Sequence, residues 1–328
     1  MALIPASASP AAMSLGGSCA SRSIEVELAP STPGYNPSGT ATISMNDPAV
    51  RTLLGKPSSG SSISFYCAYG KSNRFTFCIG TTTNACLARL AINAGWPQNT
   101  GLTAVIPSCS VVYSTCRSLY ALVIAGSFPQ GVALVNNGYI VGKGGTGGMS
   151  HWFACTSSYP ESGQPGGGAL NVNTPVTIVN NGVIGGGGGG GGSAYIGNID
   201  AGSTIGGVYY NLWDSAGGGG AGYGAGGLHS TYPGYSVFGC NSTAGGLTTG
   251  GSNPQGIITV TASDGTRSIH GGNGGGLGAA GCAGYHNPPG CTQRMGGSPG
   301  GCGGHSITGF TLVTIPTGYS GLYGPTAY

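Results

Sequence analysis

Between Arg74 and Val141 the chain alternates apolar and polar residues in short runs. "RFTFCIGTT", "LTAVIPSCSVVYST" and "LYALVIAG" are each broken by Gly, Pro or Ser, which predicts brief strands closed by turns. "NACLARLAINAGW" (Asn84–Trp96) fits a short helix, with strand as the competing reading. The phrase "VALVNNGYIVGKGG" (Val132–Gly145) then returns 44 residues later as "VTIVNNGVIGGGGG" (Val176–Gly189). In both copies an alternating apolar run ends in Asn-Asn-Gly, an apolar pair follows, and glycine takes over. Asn and Gly both tolerate positive φ and suit turns. The repeat therefore predicts two successive coils of a strand region, each handing the chain into a glycine-rich segment. The closing "HSITGFTLVTIPTGYSGLYGPTAY" reads as strand plus an aromatic tail.

Ahead of the strands, Asn46-Asp47 can cap a helix that Pro48 begins and Gly55 ends. At about two turns it needs a neighbour to stand. This pattern divides the chain into an N-terminal module (1–74), a β-rich neck (75–141), a glycine-rich region (142–305) and a closing strand and tail (306–328).

Glycine supplies 70 of the 328 residues, yet charged residues make up only 5% and apolar residues 39%. Disordered chains combine low hydrophobicity with high net charge, so a solvated linker is the weaker reading of these tracts. Each ordered Gly costs about 0.5–1 kcal/mol relative to Ala, and a run of eight must recover that through backbone hydrogen bonds. Collagen would need a strict Gly-X-Y period, which is absent. A bundle of extended three-fold helices of the polyproline-II type remains, since backbones without Cβ atoms can lie side by side. The expected fold class is mainly β with such a bundle and little α-helix.

Aromatic-bearing segments separate the glycine tracts. They hold Trp152, Phe153, Tyr159, Tyr195, Tyr209, Tyr210, Trp213, Tyr232, Tyr235, Phe238, Tyr285 and His286. Loops on a rigid scaffold carry function, and Tyr and Trp give large contact areas at low entropy cost. These rings are candidate recognition residues; the alternative is that they pack over the bundle ends.

Charge adds exclusions. Residues 1–141 carry seven basic against three acidic residues (+4) and residues 142–328 three against four (−1), so no basic stripe points to nucleic acid. The opening residues lack a charged n-region and a continuous apolar core, so a cytoplasmic product without a secretory signal is expected. No apolar run is long enough to span a bilayer. Eleven scattered cysteines in such a product read as free, mostly buried thiols. Cys282, His286, Cys291, Cys302 and His305 are zinc-type ligands, but their spacing matches no strong zinc pattern. "GKGGTG" (Gly142–Gly147) lacks the following helix and acidic residue of a dinucleotide site, and "YGKS" has Phe65 where a phosphate loop needs Gly. Seven carboxylates spread over the whole chain supply no obvious glycosidase pair, and no nucleophile elbow occurs. Neither a cofactor nor catalysis is expected.

"ISMNDPAVRTLLGKPSSGSSIS" (Ile43–Ser64), followed by "YGKSN" (Tyr69–Asn73), resembles the N-terminal module of tail-fibre and related virion proteins of tailed bacteriophages. Val50, Arg51, Leu53, Gly55, Pro57, Ser58, Tyr69, Gly70, Lys71 and Ser72 carry the likeness, while Ala68 replaces a Phe. "LVNNGYIVGKGGTGG" and "IVNNGVIGGGGGGGG" are similar to the Gly-rich domains of phage receptor-binding tip proteins. The resemblance implies a polyglycine-helix bundle whose loops bind an outer-membrane protein or glycan of the host. It also implies attachment to other tail proteins, with Val50, Arg51, Leu53, Tyr69 and Lys71 as candidate attachment residues, and assembly in the bacterial cytoplasm. A homotrimer is expected, with a monomeric cap as the rival. A purely structural virion component and a glycan-cleaving spike are the alternative functions.

Overall fold

The structure is a computed structural model that describes residues 74–153, 157–196, 211–228, 236–254, 257–262, 265–287, 295–316 and 318–327. They divide into two compact units. The smaller comprises residues 74–77, 91–104 and 127–133. Trp96 and Phe128 stack at its centre, ring centroids 5.4 Å apart, and both are buried. Trp96 Nε1 donates to the Thr100 carbonyl at 3.0 Å. Arg74 donates from Nε to Thr103 Oγ1 (2.9 Å) and from Nη2 to the Leu102 carbonyl (2.7 Å). The segment expected to be helical contains the one α-helix of the described residues, α1 (Leu87–Asn93).

The larger unit comprises residues 78–90, 105–126 and 134–328. Short strands follow one another onto three five-stranded sheets. In the first, Val176–Asn180 and Val313–Thr314 of this unit pair in parallel. The second orders Thr82–Thr83, Val111–Tyr113, Tyr139–Val141, Val183–Gly185 and Leu322–Tyr323. The third orders Ala85–Cys86, Leu122–Ile124, Leu170–Val172, Ile307–Thr308 and Thr326–Ala327. Neighbours in the second and third sheets are parallel. Each circuit thus lays one strand on the second sheet and one on the third, and residues 306–328 join the same two sheets as Thr82–Thr83 and Ala85–Cys86.

Parallel register turns the alternating pattern into stacks. Leu170 sits level with Leu122 and Ile307, and Ile184 with Ile140 and Leu322. Of these Leu122, Leu170, Ile307, Ile140 and Ile184 are fully buried. Val132–Asn136 and Val176–Asn180 share one alternation of buried and half-buried positions.

The repeated Asn-Asn-Gly phrase is a corner occupied on consecutive circuits. Asn136 Nδ2 donates to Asn180 Oδ1 at 2.8 Å, and Asn180 Nδ2 donates onward to the Ser320 carbonyl at 2.9 Å. Asn136 Oδ1 accepts the Gly138 N–H at 3.2 Å. On the exposed side Asn181 Nδ2 donates to Asn137 Oδ1 at 3.0 Å. Asn136 and Asn180 are buried, so the ladder satisfies amides that would otherwise be costly to bury. The expectation of positive φ does not hold here: neither Asn137, Asn181, Gly138 nor Gly182 adopts it. Glycine is needed because circuits stack too closely for a Cβ. At Gly138 it would fall on the Pro107 and Ser110 carbonyl oxygens, and at Gly182 on that of Gly138.

Both glycine-rich segments leave the coil at the same place. Residues 142–169 and 186–306 each depart after a second-sheet strand and return to a third-sheet strand. They run as side-by-side extended segments at 142–148, 161–168, 186–193, 216–222, 224–228, 241–247, 250–254, 271–276, 279–284 and 298–305. Residues 186–193 lie at the centre and all are buried. Their N–H groups donate in rotation to three neighbours. Gly187, Gly190 and Ser193 donate to Gly167, Gln164 and Glu161; Gly188 and Gly191 to Ala221 and Gly218; Gly189 and Gly192 to Ala279 and Cys282. Their carbonyls accept in rotation from three others. Gly145 and Gly148 donate to Gly188 and Gly191; Gly278, Gly275 and Gly272 to Gly186, Gly189 and Gly192; Gly304, Gly301 and Ser298 to Gly187, Gly190 and Ser193. One residue in three thus serves each neighbour, and six neighbours satisfy the whole segment. An added Cβ at any position from Gly186 to Gly192 would come within 3.0 Å of a neighbour's backbone oxygen.

A candidate recognition surface at the far end of the glycine segments

Because the segments alternate in direction, their longer connections gather at the end away from the coil. The turns at the coil end are short. One passes through Gly222 and Tyr223, both with positive φ (85° and 61°), and is held by Lys143 Nζ donating to the Tyr223 carbonyl at 2.6 Å. Another passes through Gly278 (φ 63°).

The far end carries five connections. A hairpin, Ser150–Phe153 with Ser157–Pro160, joins the first two segments. A four-stranded sheet orders Ser236–Cys240, Asn211–Ser215, Ala194–Ile196 and Met295–Gly297. A three-stranded antiparallel sheet is formed by Ile258–Ala262, Gly265–His270 and Tyr285–Asn287. Each strand continues a glycine segment, so backbone bonding passes from the bundle into the connections. Serine hydroxyls close the bundle beneath them: Ser193 Oγ donates to the Met149 carbonyl at 2.9 Å, and Ser298 Oγ to those of Ser193 and Glu161.

The candidate aromatic residues that can be placed lie at this end. Trp152, Phe153 and Tyr159 are on the hairpin, opposite Ser158, Ser157 and His151. Trp213 is level with Ile196 on one side and Phe238 on the other. Tyr285 is 45% exposed and stacks on His270 at 5.4 Å, with His286 next to it, level with Ile269. Partial burial holds the His270 imidazole below its ordinary value. Tyr195 instead packs: it is half-buried, and a Cβ on Gly296 would come 2.6 Å from its ring. Tyr209, Tyr210, Tyr232 and Tyr235 lie outside the described residues, as do Val50, Arg51, Leu53, Tyr69 and Lys71. Sequence reading passed over the exposed Leu228 and Ile257, each 56% exposed near this end; neither stands out from an ordinary aliphatic residue until its exposure is known.

The cysteine and histidine cluster does not assemble among the described residues, where no three His, Cys, Asp or Glu side chains gather. Cys291 lies outside them. Cys78, Cys86, Cys109, Cys116, Cys282 and Cys302 are unbridged, but the expected burial is corrected: all are exposed except Cys86, which is half-buried. Cys282 and Cys302 occupy outward positions of outer glycine segments, where a Cβ meets solvent. Among the described residues no helix is long and apolar enough to cross a membrane.

The sequence profile of the phage tail fibre adhesin Gp38 family matches residues 74–325. No curated protein matches the chain. Among solved structures, the gp37-gp38 adhesin tip complex of the bacteriophage S16 long tail fibre is similar, with a TM-score of 0.47 and 20% identity. That match covers 85% of this chain and 92% of that one.

Proposed function

The chain belongs to the phage tail fibre adhesin family, and from that premise we propose that its far-end connections are the surface that grips the host cell. As a member of that family it is a virion protein of the tail fibre that serves host attachment. The observation that carries the finer reading is the gathering of the aromatic-bearing connections on a scaffold whose interior has no side chains. Such a scaffold is satisfied by its own backbone, so the connections can change without disturbing it. The three-residue rotation of hydrogen bonds supports reading the segments as polyglycine-II helices.

In this reading Trp152, Phe153, Tyr159, Tyr209, Tyr210, Trp213, Tyr232, Tyr235, Phe238, Tyr285 and His286 contact an outer-membrane protein or glycan. The mechanism is adhesion without turnover, many weak contacts multiplied over copies by avidity. Residues 1–74, through Val50, Arg51, Leu53, Tyr69 and Lys71, join the chain to the other tail proteins. Assembly takes place in the host cytoplasm, as a homotrimer and without a cofactor. Sedimentation equilibrium tests the assembly state; a mass near 32.0 kDa would replace the trimer with a monomeric cap.

The main test is binding of the labelled full chain to host cells, with whole phage as competitor. Saturable binding that phage displaces, weakened at least tenfold by Trp152→Ala with Tyr285→Ala at unchanged melting temperature, is expected. A folded chain that does not bind would make the protein a structural part of the fibre.

A further inference from the structure

On the coil side, away from the far-end connections, a cavity of about 380 Å³ opens between residues 117–120, 165–168 and 302–305. That volume is within the range of small-ligand sites, about 300–1,000 Å³. Three properties of its lining point to one kind of occupant. The first is charge. Arg117 lines the cavity with no carboxylate beside it. Its Nη1 donates to Gln164 Oε1 at 3.0 Å, which orients the guanidinium and leaves its other N–H donors for a ligand.

The second is a supply of backbone donors. Gly168, Cys302, Gly303 and His305 all line the cavity, and among the described residues no protein group accepts their N–H. In the central segment 186–193 every such group is taken, whereas at this corner of the bundle donors remain. Arg and clustered N–H groups suit the oxygens of a carboxylate or phosphate. The third is an apolar wall. Tyr120 packs flat enough on Gly168 that a Cβ there would meet its ring, and its hydroxyl is tethered to Thr308 Oγ1 at 3.3 Å. Leu119, 47% exposed, extends the same wall. A tyrosine face beside polar donors suits the apolar face of a pyranose.

We infer that this cavity binds an acidic saccharide unit, its carboxylate or phosphate held by Arg117 and the free N–H groups and its ring laid against Tyr120. The inference goes beyond the far-end adhesion surface and stands or falls separately from it. A chain with such a site would take hold of acidic surface glycan with its flank.

The test is ligand-detected NMR titration of the full chain with glucuronic acid, glucose 1-phosphate, glucose and inorganic phosphate. Either acidic sugar is expected to bind, at least tenfold more tightly than glucose and more tightly than inorganic phosphate. Arg117→Gln should weaken that binding at least tenfold at unchanged melting temperature, with Arg117→Lys partly retaining it. The Trp152→Ala and Tyr285→Ala double variant should leave it intact. Binding by inorganic phosphate alone, equal binding of glucose, binding indifferent to Arg117→Gln, or no binding by the folded chain would each overturn the assignment.

Discussion

Replacing Gly189 by alanine should disable the protein although it adds one methyl group. The new Cβ would lie 2.5 Å from the Gly301 carbonyl carbon, closer still to its oxygen, and 2.9 Å from the Cys302 oxygen. Ordinary contact begins at 3.4 Å, so the Gly301 carbonyl carbon must retreat by about 0.9 Å and its oxygen by more. Two bonds hang on that residue: its N–H to the Gly190 carbonyl at 2.8 Å, and the Gly281 N–H to its own carbonyl at 2.9 Å. Stretched by that amount, both leave hydrogen-bonding range. Each buried group left unsatisfied costs about 1–3 kcal/mol, and overpacking adds roughly 1–3 kcal/mol. The smaller entropy of the unfolded Ala chain returns only about 0.4–1 kcal/mol. A net loss of at least ~2 kcal/mol, reaching ~8, is a large part of the roughly 5–15 kcal/mol that stabilises a domain. Gly80→Ala is the control, since nothing lies within 4 Å of its added Cβ and its φ is not positive. Urea unfolding followed by circular dichroism and tryptophan fluorescence should give a much lower midpoint, or insoluble protein, for Gly189→Ala and near wild-type behaviour for Gly80→Ala. Equal midpoints would show that the central segment can repack and refute the six-neighbour argument.

Asn136→Ala should cost about 1–3 kcal/mol, because Asn180 Oδ1 and the buried Gly138 N–H both lose their bond to the Asn136 side chain; unchanged unfolding would mean that the ladder contributes nothing. His270 binds protons less readily folded than its ordinary 6.5, so the unfolded chain takes up more protons between the two values. That part of the stability is present above pH 6.5 and is lost as pH falls towards the folded value; His270→Gln should flatten the melting-temperature profile on that acid side only. The Cys116 thiol is held below its ordinary value by its hydrogen bond with Ser118. Iodoacetamide at neutral pH, followed by peptide mass spectrometry, should therefore label Cys116 ahead of Cys109, which is also exposed, and Ser118→Ala should remove the lead.

Much of the coil was legible because its information is local. Alternation in "LTAVIPSCSVVYST" and the break at Pro107 yield Gly101–Ile106 and Val111–Tyr113 as strands, and the Asn-Asn-Gly copies mark their corner. The reason for those glycines was not legible. Positive φ is a property of one residue, whereas the crowding at Gly138 comes from a circuit that passes 28 to 31 residues earlier. The exposure of the thiols was not legible for a similar cause: it depends on which segment is outer. Of the candidate surface, the residue types were readable, but their convergence was not. Trp213 and Phe238 become neighbours only through strand pairing, and the Arg117 cavity needs three segments up to 188 residues apart.

By itself the sequence determined that the chain would be β-rich, that its glycine tracts would be ordered, and that it would carry aromatic residues between them. These follow from side-chain periodicity and from what a chain with few charges and many glycines can bury. The tertiary structure alone decided which glycine tract would be central, which end would collect the connections, and which aromatic rings would pack. An extended segment without side chains carries no code for its neighbours. Its place is set by backbone hydrogen bonds that any glycine could make, and only the lengths and anchor points of the surrounding segments select among them.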